Sequence, residues 1–426
     1  MDNTLRNVIK FVLVGTIVLM FSAAAFIAGF GSAYLLTGRG VLPTWPVAAP
    51  PPALPEETEW QEETFIPTPA NEDEEAFQLF WEVWGLVQHN FYGELPDMQE
   101  VTYAAVHGML FALDDEYTAF MEPDIAAVMA EDATGEFEGI GAFVDMDEEN
   151  KLEIVGTFEG GPAEGAGLLA GDRVLEVDGV SIVGSTLYEA IGLIRGPAGT
   201  EITLLIEREG VPEPFKVTLT RARLEIPIIK VEMRDDGVGY IGLREFSATA
   251  TERVEQGLEE LLAQEPRGII LDLRQNPGGW LDQAVDVADL FLDDGVIVVE
   301  RWSDGNEKTF EADPGDTGED VSLVVLVNGS SASASEIVAG ALQDQERAIL
   351  IGEPTFGKGS VQRPFTLSDG SELRVTIALW FTPNDQAIHG QGLTPDIEVP
   401  WPEEEDLEPD ADPQLERAVE YLLAGE

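Results

Sequence analysis

The chain contains no cysteine and only three histidines among its 426 residues. Without cysteine it cannot form a disulfide, a thiolate nucleophile, a cysteine-ligated zinc site or a thiol-linked lipid anchor. The scarcity of histidine and the lack of a His-Glu-x-x-His pattern also argue against a metallohydrolase. The sequence therefore predicts no metal site and no cofactor.

Basic residues are also few, with 23 lysines and arginines against 81 acidic residues and a net charge of −58. A surface with this much negative charge repels the phosphate backbone of nucleic acids, which argues against nucleic acid as a partner. Hydrophobic residues make up 44% of the chain, enough for a sizeable core. The length suits two or three domains.

Near the N-terminus, Arg6 and Lys10 precede an uncharged stretch over residues 11–36. This stretch exceeds the roughly 20 residues that cross a bilayer. With positive charges in front of it, the pattern predicts one N-terminal transmembrane helix and a single-pass location at the cell membrane. The body of the protein would then lie on the extracytoplasmic side. Secretion after signal cleavage near Ala23–Ala25 is the alternative.

Periodicity and composition divide the chain into six segments. The fold class expected from residues 73–426 is an α/β (α+β) core with a mixed sheet and flanking helices, preceded by a helical segment and interrupted by a small β-rich domain. The expected segments are a cytoplasmic stub and anchor (1–39), a Pro/Glu-rich linker (40–72), a helical segment (73–122), the β-rich domain (123–221), the α/β core (222–402) and an acidic tail with a last helix (403–426).

The β-rich segment 123–221 has the order of strands, glycine turns and one helix that resembles a PDZ domain. PDZ domains add a peptide's last strand to their sheet and hold its carboxylate with backbone N–H groups. By this match, the C-terminus of a substrate would bind at Gly139, Ile140, Gly141 and Ala142. A small domain that only braces its neighbour is the alternative.

Three loops rich in glycine or in small and polar residues, at residues 272–279, 331–336 and 352–362, lie at or next to buried strands of the α/β segment. Ligands of α/β sheets bind at such strand ends. Ser333 stands where a helix begins, beside free backbone N–H groups, and Lys358 lies between two glycines. A buried lysine loses its proton more readily and can then act as a base towards a serine. An ordinary helix cap and a surface lysine are the alternatives, as is a late-loop histidine, His389, acting as the base.

These loops, with residues 328–343 and 389–397, resemble the carboxy-terminal processing proteases, the tail-specific serine endopeptidases of the S41 family. The resemblance extends over roughly residues 74–424. It implies that Ser333 is the nucleophile, that Lys358, 25 positions further on, is the base, and that Gln362 orients Lys358.

The same resemblance implies an oxyanion hole formed by the backbone N–H groups of Gly279 and Ala334. It suggests Arg195 as a relay between substrate binding and gating of the active site. The neighbouring serines, Ser330, Ser331 and Ser335, are expected to pack or cap.

The function implied is a serine endopeptidase of the cell envelope that captures proteins by a free, apolar C-terminus and cuts them through an acyl-enzyme. Its partners would be peptide or protein substrates and, through the N-terminal helix, the membrane. The oligomeric state stays open, with a homo-oligomer as one alternative. A non-catalytic PDZ scaffold is a second hypothesis, and a crotonase-like acyl-CoA site is a third that no CoA-binding signal supports.

Overall fold

The computed structural model describes residues 71–147, 149–315, 317–402 and 411–424. Its contacts divide the chain after Met109 into two units. The expected anchor (1–39) and nearly all of the expected linker (40–72) lie outside the described residues.

The structure contradicts the prediction of a transmembrane helix, and with it the single-pass membrane location. In the part of the chain that the structure describes, no helix is both long and apolar enough to cross a bilayer. The longest described helix, Asn71–Asn90, has 20 residues but carries five acidic side chains, whereas a spanning helix must be predominantly apolar. The stretch 11–36, which motivated the prediction, lies outside the described residues.

The described part of the first unit contains two helices, α1 (Asn71–Asn90) and α2 (Met98–Phe111), as the periodicity of the segment predicts. On α1 the ring of Phe80 contacts those of Phe77 and Trp81, with centroid distances of 5.5 and 5.1 Å. Three aromatic residues of this helix therefore pack against one another.

The second unit begins with a short strand and a helix, and continues into the β-rich domain. Its elements up to residue 225 are β1 (Ala119–Met121), α3 (Pro123–Asp132), β2 (Glu136–Gly139), β3 (Ala142–Met146), β4 (Leu152–Thr157), α4 (Pro162–Gly165), β5 (Arg173–Val177), β6 (Val180–Ser181), α5 (Leu187–Ile194), β7 (Glu201–Glu207), β8 (Phe215–Thr220) and β9 (Ala222–Glu225).

The β-rich domain is an antiparallel sheet in the order β3-β4-β5-β7-β8, with β6 paired to β5. Alternate residues of β7 (Ile202, Leu204 and Ile206) are fully buried, because successive side chains of a strand point to opposite faces. Helix α5 begins with a capping box, in which Thr186 and Glu189 each accept the other's backbone N–H. This architecture matches the PDZ-like order expected from the sequence.

The α/β core follows. Its elements are β10 (Ile229–Met233), β11 (Gly239–Leu243), α6 (Ala250–Leu262), β12 (Ile269–Asp272), α7 (Leu281–Asp289), β13 (Gly295–Trp302), β14 (Glu307–Ala312), β15 (Leu323–Val327), α8 (Ala334–Asp344), β16 (Ile349–Gly352), β17 (Ser360–Thr366), β18 (Glu372–Phe381), β19 (Ile397–Glu398) and α9 (Pro413–Ala424).

The main sheet of the core has the order β10-β11-β12-β15-β16-β19. Strand β10 is antiparallel to β11, and the other neighbours are parallel, so the sheet is mixed as predicted. All five residues of β15 are buried, because helices cover both faces of a parallel sheet. Helices α6, α7 and α8 pack on one face, and α9 packs on the other.

A second, antiparallel sheet has the order β1-β18-β13-β14, and β17 also pairs with β18. The sequence did not predict this sheet. Strand β1 pairs with β18 over Ala119–Met121, which brings the residues before β1 close to the C-terminal half of the core.

Candidate active site

Ser333 lies on the turn between the buried strand β15 and helix α8. Its φ of 55° and ψ of −116° lie in a sparsely populated backbone region, a kind of strain that clusters at functional sites. Helix α8 begins at the next residue, Ala334, so the serine lies at the positive end of the helix dipole. The structure thus presents Ser333 on a strained strand-to-helix turn.

Two of the three neighbouring serines, Ser331 and Ser335, have structural partners, as predicted, whereas Ser330 is exposed. The hydroxyl of Ser331 donates to the carbonyl oxygen of Leu273 at 2.8 Å, and that of Ser335 donates to the carbonyl oxygen of Asn276 at 2.9 Å. Both serines are fully buried. They fix the serine-rich turn onto the loop that follows β12.

That loop approaches Ser333 so closely that only glycine fits. A Cβ on Gly278, whose φ is +106°, would lie 2.7 Å from Cβ of Ser333 and 3.0 Å from the backbone nitrogen of Ala334. A Cβ on Gly279 would lie 2.3 Å from the carbonyl oxygen of Phe246. The Asn-Pro-Gly-Gly sequence therefore permits the contact between this loop and the serine turn.

The two backbone groups expected to form the oxyanion hole have no acceptor in the part of the chain that the structure describes. Among the described residues, neither the N–H of Gly279 nor that of Ala334 donates a hydrogen bond. Their neighbours are paired: the N–H of Gly278 donates to Oδ1 of Asn276 at 2.9 Å. Unused N–H groups beside a helix start suit a developing negative charge.

Lys358 lies in the loop between β16 and β17 and lines the same cavity as Ser333. Burial lowers the pKa of its amine, and the positive charge of Arg374 lowers it further, while Glu336 acts in the opposite direction. The Nζ atom lies 5.4 Å from the ring centroid of Tyr117. This lysine therefore has the environment expected of a general base.

A buried carboxylate connects the serine turn to the lysine loop. Oε2 of Glu336 accepts the backbone N–H groups of Ser333 and Lys358, each at 2.9 Å. Oε1 accepts the N–H of Gly357 at 2.7 Å and the hydroxyl of Thr355 at 2.5 Å. Sequence reasoning missed this residue. Its signal is an acidic side chain at the third position of a helix whose next residues are apolar.

Gln362 lies on β17, next to a bulge in the pairing with β18. Its Nε2 donates to Oγ of Ser360 at 2.8 Å and to Oγ1 of Thr376 at 3.4 Å. Within the described residues its hydrogen bonds go to these hydroxyls and not to Lys358. The glutamine lines the cavity that contains the lysine, and its orienting role remains a prediction.

One cavity of about 980 Å³ joins the PDZ-like domain to these residues. Ser333, Lys358, Gln362 and Gly279 line one part of it. The other part is lined by the expected carboxylate-binding residues Gly139, Ile140 and Ala142 and by the apolar side chains Phe143, Val144, Phe158, Ile191 and Ile194. Gly141 lies between them with a φ of +73°. The two expected sites are therefore continuous.

Arg195 lies where the PDZ-like domain meets α3. Its guanidinium pairs with Glu131 at 2.8 Å and with Asp132 at 2.5 Å, and it lies 4.8 Å from the ring centroid of Phe137. It also lines the shared cavity. A relay role is compatible with this position and stays a prediction.

His389, the alternative base, packs edge-on against Tyr117 at a centroid distance of 5.8 Å. It does not line the cavity that contains Ser333, and its Nδ1 is buried without a partner among the described residues. The geometry favours Lys358 over His389. In the described part of the chain, no group of three or more His, Cys, Asp or Glu side chains could hold a metal ion.

Comparisons with known proteins support the same interpretation. Residues 237–399 match the model of peptidase family S41, and residues 158–208 match that of the PDZ domain. A carboxy-terminal-processing protease of Bartonella bacilliformis is 42% identical over 73% of this chain and 72% of its own length. A carboxyl-terminal-processing protease of Synechocystis is 39% identical over 80% of this chain and 82% of its own length.

A putative S41 protease from Bacteroides fragilis has a similar fold, with a TM-score of 0.50 at 19% identity, over 79% of this chain and 93% of its own. Fold and relatives together define a serine-type peptidase that contains a PDZ domain. The chain belongs to peptidase family S41, among the carboxy-terminal processing proteases. This confirms the resemblance seen in the sequence, and it excludes the non-catalytic scaffold as a description of the chain.

Proposed function

We propose that Ser333 and Lys358 form the catalytic dyad of this peptidase and that the PDZ domain delivers the C-terminus of the substrate to it. The observation that carries the proposal is the link between the two residues. Both line one cavity, and a single carboxylate oxygen of Glu336 binds the backbone N–H groups of both.

In the first step, the neutral amine of Lys358 accepts the hydroxyl proton of Ser333 as Oγ bonds to the carbonyl carbon of the scissile peptide. The carbonyl oxygen becomes an oxyanion and accepts the N–H groups of Gly279 and Ala334. The tetrahedral intermediate collapses, the C–N bond breaks, and the Lys358 ammonium returns the proton to the leaving amine. An acyl-enzyme remains on Ser333.

In the second step, a water molecule loses a proton to Lys358 and attacks the acyl carbon, and the proton then passes to Ser333 as the ester bond breaks. The lysine must be neutral at the start of both steps, so the lowered pKa of Lys358 increases the active fraction of the enzyme below the ordinary pKa of lysine. Gln362 is proposed to position the lysine between these transfers.

The substrate class follows from the other part of the cavity. Backbone N–H groups of the segment Gly139–Ala142 would hold the terminal carboxylate. The apolar side chains Phe143, Ile191 and Ile194 line the adjoining groove, which favours an apolar residue at or near the C-terminus. The substrate is therefore a protein or peptide with a free, apolar tail.

The test compares Ser333→Ala and Lys358→Ala with wild type on a substrate that ends in a free apolar tail. Ser303→Ala and Lys308→Ala serve as matched controls, since both residues are exposed around the turn between β13 and β14. Loss of cleavage in the first pair alone, with tail binding retained, supports the dyad. Cleavage by Ser333→Ala or Lys358→Ala at the wild-type rate would contradict it.

A further inference from the structure

A short segment before β1, Asp115–Thr118, lies against the proposed dyad. It belongs to neither the serine turn nor the lysine loop, and its pattern carries no known catalytic signal. Tyr117 lines the same cavity as Ser333 and Lys358, and its ring centroid lies 5.4 Å from Nζ of Lys358. The ring thus forms one wall around the amine.

The tyrosine is held from two sides. The His389 ring packs edge-on against it at a centroid distance of 5.8 Å. The backbone N–H of Tyr117 donates to Oδ1 of Asp115 at 3.0 Å, which fixes the turn that carries the ring. The aromatic wall is therefore a supported part of the fold.

The same turn also contacts strand β18, which pairs with the strand that carries Gln362. The hydroxyl of Thr118 donates to Oδ2 of Asp115 at 2.6 Å and accepts the backbone N–H of Thr376 at 3.0 Å. The hydroxyl of Thr376 in turn accepts Nε2 of Gln362 at 3.4 Å. Burial acts to raise the pKa of Asp115, but hydrogen bonds that include the Thr118 hydroxyl hold it below its usual value. A chain of contacts thus runs from Asp115 to Gln362.

We propose that the segment Asp115–Thr118 is a positioning element for the dyad. Tyr117 covers the amine of Lys358 and keeps water from it, while Thr118 holds Thr376 and, through it, the amide of Gln362. This inference rests on the proposed dyad of Ser333 and Lys358, and it adds residues that do not touch the scissile bond.

The physical consequence concerns the protonation of the lysine. Removing the ring would admit water to the amine and move the Lys358 pKa up towards the ordinary value of about 10.4. The neutral, active fraction would then fall about tenfold whenever the pKa rises by one. Charged and titratable groups around Lys358 must stay unchanged for this comparison. Apart from Tyr117, which the experiment replaces, they are Arg374 on β18, Glu336 on α8, and Glu116 and Glu245 on the cavity wall.

The experiment is the pH dependence of kcat/KM for Tyr117→Ala and Tyr117→Phe. In the alanine variant we expect the acidic limb of the pH–kcat/KM profile, where activity rises as Lys358 loses its proton, to move up by about one pH unit. Activity at pH values below this limb should be about tenfold lower than in wild type, and it should recover at high pH. The phenylalanine variant keeps the ring and should restore the wild-type limb. Tyr92→Ala is the control, because that side chain is fully exposed. An unchanged limb in Tyr117→Ala, or equal limbs in the two Tyr117 variants, would overturn the proposal.

A double-mutant cycle tests the second part of the proposal, the link from Thr118 through Thr376 to Gln362. This test does not depend on the folding of Tyr117→Ala. Thr118→Val removes the hydroxyl that accepts the backbone N–H of Thr376 and should lower kcat about tenfold with KM unchanged. If the two residues act as one unit, the double variant with Gln362→Ala loses no more than Gln362→Ala alone. Additive losses would contradict this arm.

The dyad and the positioning segment are distinguished by different outcomes. Full activity in Ser333→Ala or Lys358→Ala would refute the proposed dyad itself. If Ser333→Ala is inactive and the acidic limb of the pH profile is unchanged in Tyr117→Ala, the proposed dyad stands and only the positioning role of the segment is refuted.

Discussion

The backbone N–H of Lys358 donates to Oε2 of Glu336 at 2.9 Å, although the two residues are 22 positions apart in the chain. The same oxygen accepts the N–H of Ser333 at the same distance. Glu336 is fully buried, and burial raises the pKa of its carboxyl while the four hydrogen bonds oppose that rise. One side chain therefore sets the relative position of the serine turn and the lysine loop.

Glu336→Gln should impair both catalysis and stability. All four partners are donors, so the amide nitrogen of glutamine would face N–H groups and leave buried donors without an acceptor. We expect a loss of stability of about 2–4 kcal/mol. Displacement of the dyad should also lower kcat about a hundredfold.

Denaturant unfolding and steady-state kinetics check both effects. The control is Glu255→Gln, which changes an exposed glutamate on helix α6. A Glu336→Gln enzyme with wild-type kcat would show that the carboxylate does not position the dyad.

Lys358→Met should abolish cleavage and stabilise the fold. Burial lowers the pKa of this lysine, so the folded protein binds fewer protons than the unfolded chain between the lowered and the ordinary pKa. The cost of burying the amine is full below the lowered pKa, and it disappears as the pH rises through the ordinary value of about 10.4.

The methionine variant lacks that cost. Its free energy of unfolding should exceed that of wild type at the acidic end, by about 1.4 kcal/mol if burial lowers the lysine pKa by one, and the gain should vanish at high pH. Thermal unfolding as a function of pH measures the difference, with Lys308→Met as the exposed control. A gain that does not depend on pH would contradict a depressed lysine pKa.

Gly278→Ala should inactivate the enzyme although it replaces no catalytic side chain. Its Cβ would come within 2.7 Å of Cβ of Ser333 and would need a φ of +106°. We expect destabilisation by about 3 kcal/mol and a large drop in kcat as the serine turn is displaced.

The matched control is Gly165→Ala. Gly165 lies on the short helix α4 with nothing within 4 Å of a new Cβ, so alanine should be neutral or slightly stabilising there. Calorimetry and an active-site titration report the two effects. Equal behaviour of the two variants would mean that the close approach to Ser333 is unimportant.

Features that depend on residues close together in the chain are predicted from the sequence, and contacts between residues far apart in the chain are not. The buried strand Leu323–Val327 and the helix after Ser333 follow from local apolar patterns, and the structure contains both. The packing roles of Ser331 and Ser335 are confirmed as well.

The contacts that position the residues of the site were not predicted, because no local sequence pattern encodes them. Thr118 and Thr376 are 258 positions apart and meet only because β1 pairs with β18. The four hydrogen bonds of Glu336 join its helix to a loop that follows another strand. The transmembrane prediction rested on the uncharged stretch 11–36 and on Arg6 and Lys10 in front of it. It was wrong, because the described residues contain no helix that could cross a membrane.

The continuity of the cavity leads to a prediction about substrates. Ile191 on α5 lines the PDZ part of the cavity, and a carboxylate there would repel a terminal carboxylate and remove apolar contact area. Ile191→Asp should therefore raise KM for a protein with a free apolar tail about tenfold or more, at about 1.4 kcal/mol per factor of ten. A short peptide that spans only the scissile bond should be cleaved at the wild-type rate.

Amidation of the substrate tail should reproduce the effect of Ile191→Asp in the wild-type enzyme, because an amide lacks the charge that backbone N–H groups bind. Binding of fluorescent tailed peptides, measured in parallel with cleavage, separates capture from chemistry. Leu193→Asp is the control, since Leu193 is exposed on the same helix and does not line the cavity. If amidated and free tails bind equally well, the segment Gly139–Ala142 does not read the carboxylate, and apolar contacts alone select the substrate.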